Sequence, residues 1–362
     1  SILSGFPDTR AFDGELQRSL VESLSAAGVR TAAFTEGGYF SASFGFDRGF
    51  GEFHEEHYQF GGTIERTVDS ALAWLGTARS DARPFFLLVH SYEAHMPYLR
   101  ATFAASMAPA RFGELFTQEA HEAVAAGELV LTPAELERLG ALYDGGVATC
   151  DRELGRLIDG LEALGLRDEV VLVVTSDHGE ELAEGRFPRH AGNHGHSLHE
   201  ELVHVPLLIT APGLAARRVA NQVRSMDVLP TLLDLLGVVG PDDIEGRSLV
   251  ALFAGRAEDG ERVARGGSVE EGPAREFVRL AGHKLVRRLE PPEPGSEFAH
   301  VPELQLFDLA RDPDERHDLA AERPELVRTL FALMDASAVQ TIDPDALELS
   351  PELAERLRAL GY

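Results

Sequence analysis

The sequence predicts an α/β fold, with a mostly parallel central sheet carrying helices on both faces and a small C-terminal α+β subdomain built on an antiparallel sheet. Three observations predict it. Helix-like and strand-like segments alternate through the earlier part of the 362 residues. The strands there read as unbroken apolar runs, the composition of strands covered on both faces. After about Gly246 the texture changes to several short strand candidates in succession. With roughly 100 to 200 residues per domain as a guide, the expected units are 1–246 and 247–362.

Taken in order, Leu20 to Ala27 has helical spacing and ends at Gly28, and Thr31 to Thr35 is a short apolar run. Ile64 to Leu75 reads as a helix before Phe85 to His90, a buried strand. A long helical pattern from Pro133 to Leu164 leads through Gly165 into Val170 to Thr175, the type found in the middle of a parallel sheet, and Val205 to Thr210 repeats that type. Strands separated by helices of this length imply right-handed crossovers. An acidic, loop-like stretch from Arg256 to Pro273 follows, then short strands at Glu276 to Leu280, Lys284 to Arg288 and Gln305 to Asp308. Helices are expected at Pro324 to Met334 and Pro351 to Leu360.

Composition narrows the function classes. Hydrophobic residues make up 44% and charged residues 26%, with 35 Gly and 19 Pro spread along the chain, so the chain is globular rather than collagen-like or disordered. The 33 Lys and Arg against 60 Asp and Glu leave a net charge of −27. Such a surface repels phosphate backbones and anionic lipid heads, which argues against nucleic-acid binding. An anionic substrate would need a metal or a local cluster of donors to offset that repulsion. The single cysteine, Cys150, excludes an intramolecular disulfide, and its helical, apolar surroundings point to packing. No apolar run approaches a membrane span, and the N-terminus lacks the layout of a signal peptide. A start at Ser1 without Met reads as a truncation.

Ligands of open α/β sheets bind at the carboxyl ends of strands, and two such ends carry metal-competent residues: His90 to His95, and Ser176-Asp177-His178-Gly179-Glu180. A buried strand that delivers Asp177 and His178 side by side onto a glycine turn suits half of a divalent-cation site, one hard ligand and one borderline. The competing reading makes Asp177 a helix cap and His178 a local hydrogen-bond partner. Downstream lie His190, His194, His196, His199 and His204, just before the next buried strand. Singly each is better explained as a surface or satisfied histidine, whereas the group favours a site. His95, in His-Met-Pro-Tyr, could serve as a general acid toward a leaving group, while His90 reads as a buried, hydrogen-bonded histidine. There is no glycine-rich phosphate loop and no paired-cysteine zinc spacing.

With these segments placed, the chain resembles the sulfatase family of the alkaline phosphatase superfamily. The blocks that carry the resemblance run in order: Ser1 to Gly5 as the tail of the signature; Gly28 to Phe34; Gly45 to Phe50; Phe86 to Tyr98; Thr175 to Glu180; Gly195 to Glu201 running into Val205 to Ile209; Met226 to Gly237; His283 to Leu285; Leu306 to Glu315; and Leu357 to Tyr362. The resemblance implies an alkaline phosphatase-like fold and metal-dependent cleavage of a sulfate ester. It implies Asp177 and His178 as metal ligands, His95 as a contact to the transferred group or proton donor to the leaving oxygen, and His194 or His196 on the sulfate oxygens. The metal it implies is Ca2+, with Mn2+, Zn2+ or Mg2+ also open to a site containing His178. The substrate it implies is a small-molecule or saccharide sulfate or phosphate ester.

Two parts of the family pattern are not matched. Its paired metal aspartates and its formylglycine nucleophile would lie upstream of Ser1, so a chain truly starting there is expected not to turn over an ester. Its Lys-x-His motif is replaced by the block from Thr35 to Phe40, which removes two anion contacts. A phosphodiester or phosphonate ester hydrolase of the same fold, and a non-catalytic member binding an anionic ligand or partner, are the alternatives.

Overall fold

The structure, a computed structural model, describes residues 19–56, 64–182, 186–240, 244–256, 262–268 and 272–335. The signature tail at Ser1 to Gly5 and the expected helix at Pro351 to Leu360 lie outside the described residues.

Helix α1 (Leu20–Ala26) starts at a capping box in which the Ser19 hydroxyl accepts from the Glu22 amide and the Glu22 carboxylate accepts from the Ser19 amide. It leads into β1 (Arg30–Thr35), the middle strand of a three-stranded sheet with β2 (Glu52–Glu55) on one side and β3 (Phe85–Val89) on the other. Both pairings are parallel. The crossover between β2 and β3 is α2 (Ile64–Ala78), whose Trp74 Nε1 donates to Glu52 at 2.7 Å.

The alternation of side chains along a strand assigns the two faces. Ala32 and Phe34 of β1, with Phe85, Leu87 and Val89 of β3, pack against α2 and against the long helix α4 (Pro133–Ala163) through Leu157 and Leu161. Phe86 and Leu88 point the other way, to α1 and to α6 (Val228–Leu236) through Leu20, Leu24, Val228 and Leu232. Helices therefore cover both faces. α4 owes its 31-residue length to a Thr132–Glu135 capping box with Pro133 in the first turn, and it ends where Gly165 takes a positive φ of 69°.

Strands β4 (Leu172–Thr175) and β5 (Leu207–Thr210) form a separate two-stranded sheet and run antiparallel. Val170 to Thr175 was expected in the middle of a parallel sheet and Val205 to Thr210 as a second strand of that type. The two pair antiparallel with each other instead, because among the described residues between β4 and β5 the only helix is the single-turn α5 (Glu200–Val203), with no helical crossover of the length a parallel pair needs. Val171, Val173 and Leu207 join the α1/α6 core that also takes Phe86 and Leu88, so this ribbon continues the same layered body.

The C-terminal sheet has the order β6 (Ala264–Ser268), β7 (Arg275–Leu280), β8 (His283–Arg288), β9 (Leu304–Asp308), and every pairing is antiparallel. Helix α8 (Pro324–Asp335) covers one face, placing Leu330 and Met334 on Val278, Leu285 and Leu306. Part of the expected acidic loop from Arg256 to Pro273 is β6. Its sequence, Ala-Arg-Gly-Gly-Ser, has no strand propensity, and it is held by its ladder to β7. Helices α3 (Gln118–Ala125) and α7 (Val250–Phe253) complete the described α-helices. Among the described residues no helix is long and apolar enough to cross a membrane.

Candidate active site

The ends of β3 and β4 open side by side. At the end of β3 the chain turns, with the His95 amide donating to the Tyr92 carbonyl at 2.8 Å. The turn is held from β1 by Glu36, which is fully buried and accepts from the Tyr92 amide at 2.8 Å and the Ser91 hydroxyl at 3.0 Å. Glu36 lies in the block where the family's Lys-x-His motif is not matched. Here the block supports the strand end.

At the end of β4, Asp177 and His178 are followed by Gly179, whose amide donates to the Leu202 carbonyl at 2.8 Å. A Cβ at Gly179 would collide with the Glu201 carbonyl oxygen, so only glycine lets this turn lie against α5. The Glu181 amide then donates to the Asn193 carbonyl at 3.0 Å and the Gly192 amide to the Glu181 carbonyl at 2.6 Å. This bridge folds the histidine-rich loop back onto the end of β4. Gly192 sits at a φ of 79° against Phe116 and Tyr98.

The result is a cluster of three imidazoles. The His178 and His194 rings stack with centroids 3.9 Å apart, and His95 stands edge-on to both, 4.9 Å from His194 and 6.2 Å from His178. Each ring is anchored through Nδ1: His95 to the Met96 carbonyl at 2.5 Å, His178 to the Gly179 carbonyl at 2.9 Å, and His194 to the Glu180 carboxylate. A carbonyl can only accept, so His95 and His178 carry their protons on Nδ1, and Nε2 is the atom through which each can bind a ligand. The second oxygen of Glu180 accepts from the Tyr98 hydroxyl. Burial pushes the Glu180 carboxyl up, but the charge and hydrogen bond of His194, with the charges of His95 and His178, outweigh it and hold it at about 2. Burial pushes His95 down to about 4, with His194 and His178 adding to the fall and Glu180 opposing it, so the ring is neutral at pH 7.

The residues suit a divalent cation. Asp177 is exposed at the mouth, its Oδ2 lying 3.9 Å from Nε2 of His178, a separation two ligands of one ion can close with small side-chain movements. His178, Glu180 and His194 also offer ligand atoms within 4.8 Å of one another. Of the two arrangements the first fits better, because both Glu180 oxygens are already engaged.

The other histidines go elsewhere. His196 is fully buried, 2.7 Å from Glu181 and stacked on His190 at 4.3 Å, and does not join the cluster. His190 pairs with Glu297 at 3.1 Å and His199 with Glu315 at 3.1 Å, while His204 is exposed beside Glu200. His90 is half-buried and stacked on Phe40 at 4.7 Å, and its Nδ1 has no hydrogen-bond partner among the described residues, in place of the hydrogen-bonded ring expected there. Cys150 packs beside the core under α2 and α4. Glu180 stood in the strand end singled out from the sequence but without a role of its own, and Tyr98 stood without one beside His95. The signal for Glu180 was present, a carboxylate two residues after His178, but its partner lies fourteen residues away.

Comparison with known proteins follows the same outline. The Sulfatase family profile matches residues 1–238. Arylsulfatase K of Gallus gallus is 33% identical over 208 residues, which cover 56% of this chain and 37% of that protein. The chain spans about a third of the length of the first curated relatives it matches. Among solved structures, one described as in complex with its substrate D-glucosamine-2-N,6-O-disulfate superposes with a TM-score of 0.70 at 18% identity, covering 96% of this chain and 88% of that one. The phosphonate monoester hydrolase of Agrobacterium radiobacter superposes with a TM-score of 0.67 at 20% identity, covering 97% and 88%. These two likenesses establish the fold.

Proposed function

The chain belongs to the sulfatase family, and from that premise we propose that it contributes the histidine face of a metal-dependent sulfate ester hydrolase. The observation that carries the reading is the convergence of His95, His178 and His194 at adjoining strand ends. In this reading Asp177 and His178 hold the cation, with Ca2+ preferred and Mn2+, Zn2+ or Mg2+ admitted by the imidazole. When bound, the ion supplies positive charge that offsets the anionic ester and lowers the pKa of an oxygen nucleophile.

The chain's own residues do the rest. His194, fixed in orientation by ionised Glu180 at Nδ1, acts in this reading as the imidazolium, whose Nε2–H donates to a sulfate oxygen, and Tyr98 keeps Glu180 from rotating away. His95 rests neutral with Nε2 as its basic atom, a state in which it costs little to bury. An anionic ester beside the ring raises its proton affinity, so it takes up a proton with the substrate and passes it to the departing alkoxide oxygen. Attack on sulfur falls to a nucleophile, ionised and oriented by the ion, that is not among these residues. The −27 net charge then acts against any anion not met by this local cluster. The boundary between the unit carrying these residues and the C-terminal unit is placed near Gly246, a division supported by the antiparallel sheet lying wholly after it.

The test is hydrolysis of an aryl sulfate and an aryl phosphonate ester by the natural protein, before and after chelation. The expected outcome is a higher kcat/KM for the sulfate ester and loss of turnover after chelation, restored by Ca2+ or Mn2+. Turnover unaffected by chelation would refute the metal-dependent reading. A higher kcat/KM for the phosphonate ester would favour the second reading, phosphonate hydrolysis, which the likeness to the Agrobacterium radiobacter phosphonate monoester hydrolase supports.

A further inference from the structure

Outside the histidine cluster, the C-terminal sheet sets two arginines directly opposite each other. Arg275 of β7 and Arg288 of β8 are register partners, so their side chains leave the same face of the sheet. Like charges in that relation repel. Arg275 is only 3% exposed, its guanidinium lying over Phe298 at 4.9 Å and Phe187 at 5.8 Å from the ring centroids. Its Nη1 donates to the His196 carbonyl. Its Nε and Nη2 are buried with no hydrogen-bond partner, and so is the Nε of Arg288, whose Nη1 donates to the Glu290 carbonyl at 2.6 Å.

Among the described residues Glu181 pairs with His196, Glu276 with Arg287, and Glu297 with His190 through Oε1, the Oε2 of Glu297 being buried without a hydrogen-bond partner. Burial, and secondarily the charge of Arg288, lowers Arg275 to about 10, which still leaves it charged at neutral pH. A buried cation with unmet donors and no carboxylate paired to it among the described residues is among the most costly arrangements in a protein interior. Nε and Nη2 are also the edge of guanidinium that binds two oxygens of one anion at once.

We propose that Arg275 and Arg288 form a binding site for a small inorganic oxyanion, sulfate or phosphate. Two oxygens accept from Nε and Nη2 of Arg275 and a third from Nε of Arg288, which is half-buried and forms the side open to entry. The site bears on the histidine loop, since Arg275 also holds the backbone at His196, two residues beyond His194. The inference rests on the arginine pair and not on the hydrolase reading.

The test is calorimetric titration of the full chain with sodium sulfate at constant ionic strength, repeated in a His95→Ala/His194→Ala double variant and in Arg288→Gln. We expect one saturable site that persists in the double-histidine variant and weakens at least about tenfold in Arg288→Gln. Absence of saturable binding would overturn the proposal. So would binding that disappears in the double-histidine variant and is unchanged in Arg288→Gln, which would place the anion among the histidines. A measurement that needs no variant is anomalous diffraction from crystals soaked in selenate. A peak between Arg275 and Arg288 supports the site, and its absence from that position overturns it.

Discussion

Lys284→Met tests how the C-terminal sheet holds the histidine loop. Lys284 is fully buried, with Nζ 3.0 Å from Glu315 and 3.1 Å from Glu200. Glu315, itself buried, also accepts from His199 Nδ1 at 3.1 Å and from the Glu200 amide at 2.7 Å. Glu200 has a second cation, Arg279, at 2.6 Å. Methionine keeps most of the lysine volume while deleting the charge. Glu200 retains Arg279, but Glu315 becomes a buried carboxylate without its full cation. Removing one partner of a buried pair costs ~3–5 kcal/mol, and the surviving His199 bond puts the expectation at the lower end, ~3 kcal/mol.

The pH dependence gives an independent check on that reasoning. Burial pushes the Glu315 carboxyl up, but the His199 bond and the charge of Lys284 hold it down, from an ordinary 4.5 to about 2. A depressed carboxyl stabilises the fold fully above its unfolded pKa, and that contribution is lost as pH falls from 4.5 toward 2. In Lys284→Met the deficit should be complete at pH 7 and shrink in acid, because a protonated Glu315 needs no cation. Urea unfolding of both proteins at neutral pH and at about pH 3, inside that window, measures it. A deficit under ~1 kcal/mol at neutral pH, the value of an exposed pair, or a deficit of equal size at both pH values, would refute the argument.

His194→Ala should abolish most ester turnover, by about 10² or more, and also lower stability by ~1–3 kcal/mol, because it strands the buried Glu180 carboxylate. His196→Ala should lower stability by a similar ~1–3 kcal/mol through the buried Glu181 carboxylate while leaving turnover of the folded protein far less affected; kinetics of the two variants side by side would expose a reversed assignment. Gly179→Ala should displace α5 from the end of β4 and weaken cation binding along with stability; wild-type calorimetric binding of Mn2+ would contradict the stated role of that contact. Cys150, whose thiol burial pushes up to about 12, should react with a thiol reagent at pH 8 far more slowly than a free thiol. Rapid labelling of the folded chain would show that the α2/α4 packing is not as described.

Local chemistry carried much of the architecture. The run Phe85 to Val89 is apolar at every position, so it had to be covered on both sides, and α2 and α4 meet one face while α1 and α6 meet the other. Thr132, Pro133 and Glu135 announce the start of α4, and Gly165 its end. β2 and β6 were not legible, because Glu52–Glu55 and Ala264–Ser268 carry no strand signal of their own and exist through ladders to β1 and β7.

In the site, the sequence by itself determined that a carboxylate and an imidazole stand side by side, because Asp177 and His178 are adjacent and a strand end delivers neighbours together. It also singled out the histidine group downstream as the source of a further side chain beside them. Which member stands there was decided only by tertiary structure. His194 and His196 are two residues apart on the same loop, and the bridge between Glu181 and Asn193 turns the first toward Glu180 and His178 and the second toward Glu181 and the C-terminal sheet. The direction of a side chain on an irregular loop depends on backbone contacts with residues distant in the chain, and no local periodicity encodes it.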